Sequence, residues 1–119
     1  MQVGIDIVHV GRIKKLYEQY KERFLERVFS EREIAYCSGR KRFFECLAGR
    51  FAAKEAFYKA LDYNMQKKTA LKDIEVLADI NGRPYYNVPL ELGNLSIALS
   101  ISHEKEYAVA VCTIIRRST

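Results

Sequence analysis

Two carboxylates stand where carboxylates are not expected. Asp6 lies in the middle of Val3-Gly4-Ile5-Asp6-Ile7-Val8, a β-branched run that reads as a strand, although Asp is depleted from strand interiors. Placed on a helix at about 100° per residue, Glu55 falls among Phe44, Ala48, Phe51 and Tyr58, inside an apolar stripe. An unpaired carboxylate buried there costs several kcal/mol, so it must take up a proton or meet a cation. Two carboxylates from different elements, each facing a core, can share a divalent cation. Oxygen donors with few nitrogens favour magnesium, which keeps waters and takes substrate phosphates as its remaining ligands. The plainer roles are a Glu55–Lys59 ion pair at i+4, worth about 0.2–0.5 kcal/mol, and Asp6 as a cap or turn acceptor for the following helix.

Other residues bear on the same chemistry. His103 ends a Ser-Ile-Ser run at a hairpin tip, where it can meet a ligand or serve only as a polar turn residue. The six glycines are scattered and form no Walker or dinucleotide loop, so phosphate binding must rest on Lys and Arg. Arg50, Lys54 and Lys59 surround Glu55 in sequence, with Arg50 and Lys54 to one side of it and Lys59 to the other; the plainer role of each is a solvated helix face.

Several elements must position these groups. From Gly11 to about Phe24, Ile13, Leu16, Tyr17, Tyr20 and Phe24 fall on one face of an amphipathic helix whose outside is basic. Ser30-Glu31-Arg32-Glu33 fits a capping box, with Phe29 and Ile34 as its staple, and starts a short helix that stops near Gly39. A central helix spans about residues 41–61. Two strands flank Asn81-Gly82, a strong hairpin signal. Leu95, Ile97, Leu99 and Ile101 then alternate with small or polar residues, and Tyr107 to Ile115 forms an almost wholly apolar strand. The order predicts an α+β fold, with helices packed on a mostly antiparallel sheet.

The chain has 119 residues, expected to form one domain over residues 1–119, and its 49% hydrophobic content is enough for a core without staples. The net charge of +5 is uneven: residues 1–68 hold fifteen basic and nine acidic side chains, the remainder five and six. An anionic partner facing the first half is implied. Three cysteines without CxxC spacing, beside only two histidines, support neither a disulfide framework nor a zinc site. No leader and no apolar stretch near 18 residues is seen, so a cytoplasmic protein without membrane contact is expected.

The string Ala48-Gly49-Arg50-Phe51-Ala52-Ala53-Lys54-Glu55-Ala56-Phe57-Tyr58-Lys59-Ala60 resembles the signature helix of the holo-[acyl-carrier-protein] synthase family, the short type of 4′-phosphopantetheinyl transferase. Gly4-Ile5-Asp6-Ile7-Val8, Phe29 to Glu33, Asp73 to Val76, Asn81 to Pro84 and Ser100 to His103 follow the family pattern in the same order. The resemblance implies the 4′-phosphopantetheinyl transferase fold and a magnesium-dependent enzyme of fatty acid biosynthesis. Such an enzyme moves the phosphopantetheine arm of coenzyme A, its co-substrate, to a serine of apo acyl carrier protein and releases adenosine 3′,5′-bisphosphate. It further implies that Asp6 and Glu55 hold Mg²⁺, that a carboxylate or a metal-bound water takes the serine proton, with Asp6 acting through a water as the candidate here, and that Lys59 approaches a coenzyme A phosphate. Arg50, Asn81, Gly82, Pro84, Ser102 and His103 would line the nucleotide. Relatives are homotrimers with sites shared between protomers, and basic residues of the first long helix meet an acidic carrier protein; Arg12, Lys21 and Arg23 are the candidates here. Glu104 departs from the pattern by placing a negative charge beside His103.

Two other readings compete. A non-catalytic basic module binding nucleic acid or an acidic protein would use the basic first half, but no nucleic-acid motif appears and such a module has no need of Glu55 in an apolar stripe. A magnesium-dependent hydrolase of phosphate diesters would share the carboxylate pair and differ in the acceptor.

Overall fold

A computed structural model describes residues 1–89 and 94–117. In chain order these form β1 (Gln2–His9), α1 (Val10–Tyr20), α2 (Glu22–Val28), α3 (Glu31–Ser38), α4 (Phe43–Ala60), α5 (Tyr63–Lys67), a 3₁₀ turn (Leu71–Asp73), β2 (Glu75–Ala78), β3 (Pro84–Asn87), β4 (Leu95–His103) and β5 (Tyr107–Arg116). β1, β5 and β4 pair in that order as an antiparallel sheet, with Asp6 opposite Ala110 and Ala110 opposite Ile101. β2 and β3 make a separate antiparallel pair, and β3 lies alongside β4. The expected α+β arrangement is what is found.

Strand alternation gives the main sheet two unlike faces. Val8, Ala108, Ala110, Cys112 and Ile114 point inward and are buried against α4. The small side chains of β5 let the helix come close. Gly4 marks the tightest approach, because a Cβ there would collide with the carbonyl oxygen of Ala56.

α4 is not the one-striped helix that its periodicity predicts. It is wrapped by the sheet on one side and by α1, α3, β2 and the 3₁₀ turn on others, so Leu47, Ala48, Ala52, Ala53, Ala56 and Phe57 are all fully buried. The polar residues Glu45, Arg50 and Lys54 are buried with them. Lys54 therefore does not face phosphates, contrary to the sequence expectation. Its ammonium pairs with Glu33 at 2.7 Å and donates to the carbonyl oxygens of Ile74 at 2.8 Å and Leu71 at 3.0 Å. Those three acceptors match its three donors. Burial pushes Lys54 below the ordinary lysine range, while the charge and hydrogen bond of Glu33 pull it back up.

Glu33 is also the acidic half of the expected capping box. Its Oε1 accepts from the Ser30 amide at 2.8 Å, its own amide donates to Ser30 Oγ at 3.2 Å, and its Oε2 accepts from the Val76 amide at 2.8 Å. One carboxylate thus joins the start of α3 to α4 and β2.

Two further expectations need correcting, and a third is met with a longer loop. The helix read from Gly11 to Phe24 breaks at Lys21, which adopts φ 52° between α1 and α2. The apolar period runs on across that residue and carries no mark of the break; the turn brings Phe24 edge-on to Phe29 at 5.9 Å. The hairpin expected around Asn81-Gly82 is found, with a five-residue loop from Asp79 to Arg83. Asp79 Oδ1 accepts from the amides of Asn81 and Arg83, and Gly82 sits at φ 82°. Finally, Cys37 and Cys46 are joined by a disulfide with their Cα atoms 5.5 Å apart. No CxxC spacing announces the pair, because it is the return of the chain from α3 into α4 that brings them together. Cys112 is free and buried.

Removing the cation while leaving the buried carboxylate should be severe. Lys54→Met is expected to cost about 3–5 kcal/mol in urea unfolding, and a loss below 1 kcal/mol would show that Glu33 is not confined as described.

Candidate functional site

Asp6 projects from β1 toward α4, and the Gly4 contact sets how far along the helix it lands. Glu55 is half-buried on α4, with its carboxyl held above the ordinary glutamate range first by burial and second by the negative charge of Asp6. Lys59 and Arg12 oppose that shift. Lys59, one turn beyond Glu55, bridges to Asp6 Oδ1 at 2.9 Å and to the carbonyl oxygen of Ile5 at 3.2 Å. The i+4 partner foreseen for Lys59 was Glu55; its hydrogen-bonded partner is Asp6. Arg12, from the first turn of α1, adds a second cation beside Glu55.

Two carboxylates that repel one another, with cations at their edge, are a suitable pair for a divalent ion. Among the described residues no third His, Cys, Asp or Glu completes an all-protein metal cage. Magnesium is satisfied by one or two carboxylates plus water and phosphate oxygens, so the two carboxylates alone could hold it. The elevated Glu55 carboxyl is the observation that makes the fit: a cation between the two groups relieves what their proximity costs.

The remaining sequence candidates lie elsewhere. His103 is on the inner face at the end of β4 and packs over Gly49, where an added Cβ would stand 3.9 Å from its Cδ2. Ser102, its neighbour, is exposed on the opposite face by strand alternation. Arg50 is buried with its guanidinium 4.4 Å from the centre of the Tyr36 ring, and its Nε has no hydrogen-bond partner. The Asn81 to Pro84 segment lies beyond β4, beside a cleft of about 510 Å³ lined by Arg83, Pro84, Tyr86 and Ile97 to Ile101. Since β5 separates β1 from β4, Asp6 stands at least two strand spacings, about 10 Å, from that cleft. Within one chain Asp6, Glu55 and Lys59 therefore come together, while Arg50, Asn81, Gly82, Pro84, Ser102 and His103 lie apart from them.

Of the docking candidates, Arg12 is at the carboxylate site. Lys21 lies at the break between α1 and α2, its ammonium 5.6 Å from the Tyr17 ring. Arg23 borders a groove of about 330 Å³ with Leu16, Tyr20, Phe24 and Arg27. Arg27 escaped the sequence reading, although its i+4 spacing from Arg23 signals a shared face. Another pocket, about 300 Å³, lies at the far end of β1 between Met1, Leu61, Met65 and Ile114. Its carboxylate, Asp62, is committed to capping α5 through the Met65 amide at 2.9 Å.

The profile of the 4′-phosphopantetheinyl transferase superfamily matches residues 2–112. A holo-[acyl-carrier-protein] synthase of Chloroherpeton thalassium is 44% identical over 117 residues, covering 96% of this chain and 97% of the relative. One from Thermodesulfovibrio yellowstonii is 50% identical over 112 residues, covering 94% and 96%. In three dimensions the chain is similar to the holo-(acyl-carrier-protein) synthase of Bacillus anthracis in complex with CoA (3′,5′-ADP), with TM-score 0.83, 39% identity and coverage of 98% and 96%. It is likewise similar to the Helicobacter pylori synthase in complex with coenzyme A, with TM-score 0.84, 35% identity and coverage of 95% and 99%.

The elevated Glu55 carboxyl has a sign that can be checked. A carboxyl raised by folding contributes stability that is complete below the ordinary glutamate pKa and is lost as pH rises through the raised value. Carboxyl NMR should find Glu55 titrating above the usual glutamate range, with Asp6→Asn bringing it down. The increment in Tm produced by Mg²⁺ should grow as pH rises through that titration. A Glu55 indifferent to Asp6→Asn would mean that the two groups do not face each other.

Proposed function

The chain belongs to the 4′-phosphopantetheinyl transferase superfamily, and from that membership we propose that it transfers the phosphopantetheine arm of coenzyme A to a serine of apo acyl carrier protein, releasing adenosine 3′,5′-bisphosphate, within fatty acid biosynthesis. The observation that carries the reading is the meeting of Asp6 with Glu55 and Lys59 at the β1–α4 contact. Residues 1–119 would act as one transferase domain.

Asp6 and Glu55 would hold Mg²⁺. When bound, the cation supplies charge neutralisation on the coenzyme A pyrophosphate. Lys59 is half exposed, and its long stem allows the ammonium to leave Asp6 and meet a phosphate oxygen. Asp6, reaching through a water, would take the proton of the carrier serine. The serine oxygen then bonds to the β-phosphorus, the bond from that phosphorus to the bridging oxygen breaks, and adenosine 3′,5′-bisphosphate departs with the electron pair.

Arg50, Asn81, Gly82, Pro84, Ser102 and His103 would form the nucleotide wall. Their separation from Asp6 within one chain supports a site completed by a neighbouring copy. The outer face of the sheet supports the same conclusion, because Ile5 is 59% and Ile7 65% exposed, beside exposed Val3, Val111 and Ile115. A contiguous apolar face of this kind is suited to self-association, here a homotrimer. Arg12, Lys21 and Arg23, joined by Arg27, would receive the acidic carrier protein on α1 and α2. No described helix is long and apolar enough to cross a membrane, and a cytoplasmic location suits both substrates.

Incubation with coenzyme A, Mg²⁺ and an apo acyl carrier protein should raise the carrier mass by one phosphopantetheine; no gain would refute the activity. Asp6→Ala and Glu55→Ala should each lower the rate by about 100-fold or more with the far-UV spectrum unchanged. Ile7→Lys should shift the sedimentation coefficient from trimer to monomer and abolish turnover together. An Ile7→Lys protein that still sediments as the wild type would exclude this sheet face as the interface.

A further inference from the structure

We propose that the Cys37–Cys46 bond is a reversible thiol switch that tightens or loosens the nucleotide end of the site, an inference that rests on the function proposed above. Cys37 lies in the last turn of α3 and Cys46 in the first turn of α4, so the bond encloses Ser38 to Glu45 with Arg40, Lys41 and Arg42. One of them, Arg40, shares the Tyr36 ring with Arg50, and His103 packs over Gly49 beside it on α4. The Tyr36 ring has the Arg40 guanidinium at 4.3 Å and that of Arg50 at 4.4 Å. The covalent tie therefore orders a basic loop next to two residues assigned to the nucleotide wall.

The tied segment has a built-in tendency to open. Both carboxylate oxygens of Glu45 are buried without a hydrogen-bond partner. The neighbouring cation, Arg42, lies 3.5 Å away on a side chain that is 69% exposed, against 9% for Glu45. A buried carboxylate with so little support is better hydrated, and loosening of the first turn of α4 would let water reach it. With the disulfide closed that turn is held; with it open, the turn and the loop before it are free to fray. The Glu33–Lys54 pair continues to hold α3 to α4 deeper in the core, so the opening stays local.

The redox step balances with a low-molecular-weight disulfide as oxidant. One cysteine thiolate attacks that disulfide and displaces one of its thiols; the second cysteine then displaces the other. Two protein thiols lose two electrons and two protons, and the oxidant becomes two thiols. Cys46 is 7% exposed and Cys37 0%, so Cys46 is the sulfur that the partner meets first. In the proposed cytoplasmic setting a permanent disulfide is rare and a transient, sensing one is the usual kind.

The full chain should be equilibrated over a range of reduced-to-oxidised glutathione ratios and trapped by alkylation. Intact mass should then show the pair passing between dithiol and disulfide, with Cys112 reduced throughout. Reduction should weaken coenzyme A binding by about threefold to tenfold in calorimetry and accelerate hydrogen exchange over residues 38–46, while residues 53–57 keep their protection. Cys37→Ala should behave as the reduced protein at every ratio, and reduced wild type gives the same comparison without a substitution. A pair that stays in one state at all ratios, or two states with equal exchange and equal affinity, would overturn the switch. Carrier modification measured in both states is a separate readout: failure in both counts against the transferase reading, while binding and exchange still decide the switch.

Discussion

The buried pairing of Lys54 with Glu33 is the constraint on which the rest of the fold depends. Neither residue can be buried alone, since each isolated charge would cost several kcal/mol after relaxation. Together they use nearly all of their hydrogen-bonding capacity on groups from four different segments: the Ser30 cap, the 3₁₀ turn, Ile74 and β2. α4 is thereby fixed in rotation about its own axis. With Lys54 turned inward, Glu55 and Lys59 are carried round to the side where β1 passes, and the inward-facing Asp6 meets them there. The chemistry at one side of the helix is a consequence of the ion pair at another.

The sheet divides its labour by face. Its inner side is built from small residues so that α4 can lie close, and its outer side over β1 and β5 is apolar and, among the described residues, uncovered by helices. β1 supplies both, with Asp6 pointing in and Ile5 and Ile7 pointing out. The strand that contributes a proposed metal ligand is thus also the strand that a neighbour would cover in the proposed trimer, so assembly and catalysis would be mechanically adjacent. That adjacency gives a reason for a chain of this size to place its carboxylates at a sheet edge and the hairpin proposed to face the nucleotide beyond the opposite edge.

Asp6 and Glu55 were legible in the sequence because each violates the local pattern around it. The Ser30–Glu33 cap was legible because it is written within four residues. Lys54 was misread for the complementary reason: its acceptors come from residues 17 to 21 positions away in either direction, and no local pattern announces them. Arg12 was assigned to carrier-protein docking through the family resemblance, and neither that nor the helical period shows that α1 aims its first turn at Glu55. Arg50 and Lys54 illustrate the limit of a helical wheel on a helix wrapped on several sides, where no direction is reliably solvent. Cys37 and Cys46 are nine residues apart with a reversal of chain direction between them, so spacing rules have nothing to act upon.

Gly4 bears no functional group, yet it acts as a stop against which the strand is seated. Strand and helix advance by different steps, about 3.3 Å and 1.5 Å per residue, so their ladders coincide only where something pins them. A one-residue slip past the Ala56 carbonyl would rotate Ile5 and Ile7 toward the helix and send Asp6 to the outer face. The proposed activity is thus vulnerable to displacement as well as to deletion: a single added methyl group, remote from any reacting atom, can leave every proposed catalytic side chain present and none of them in place.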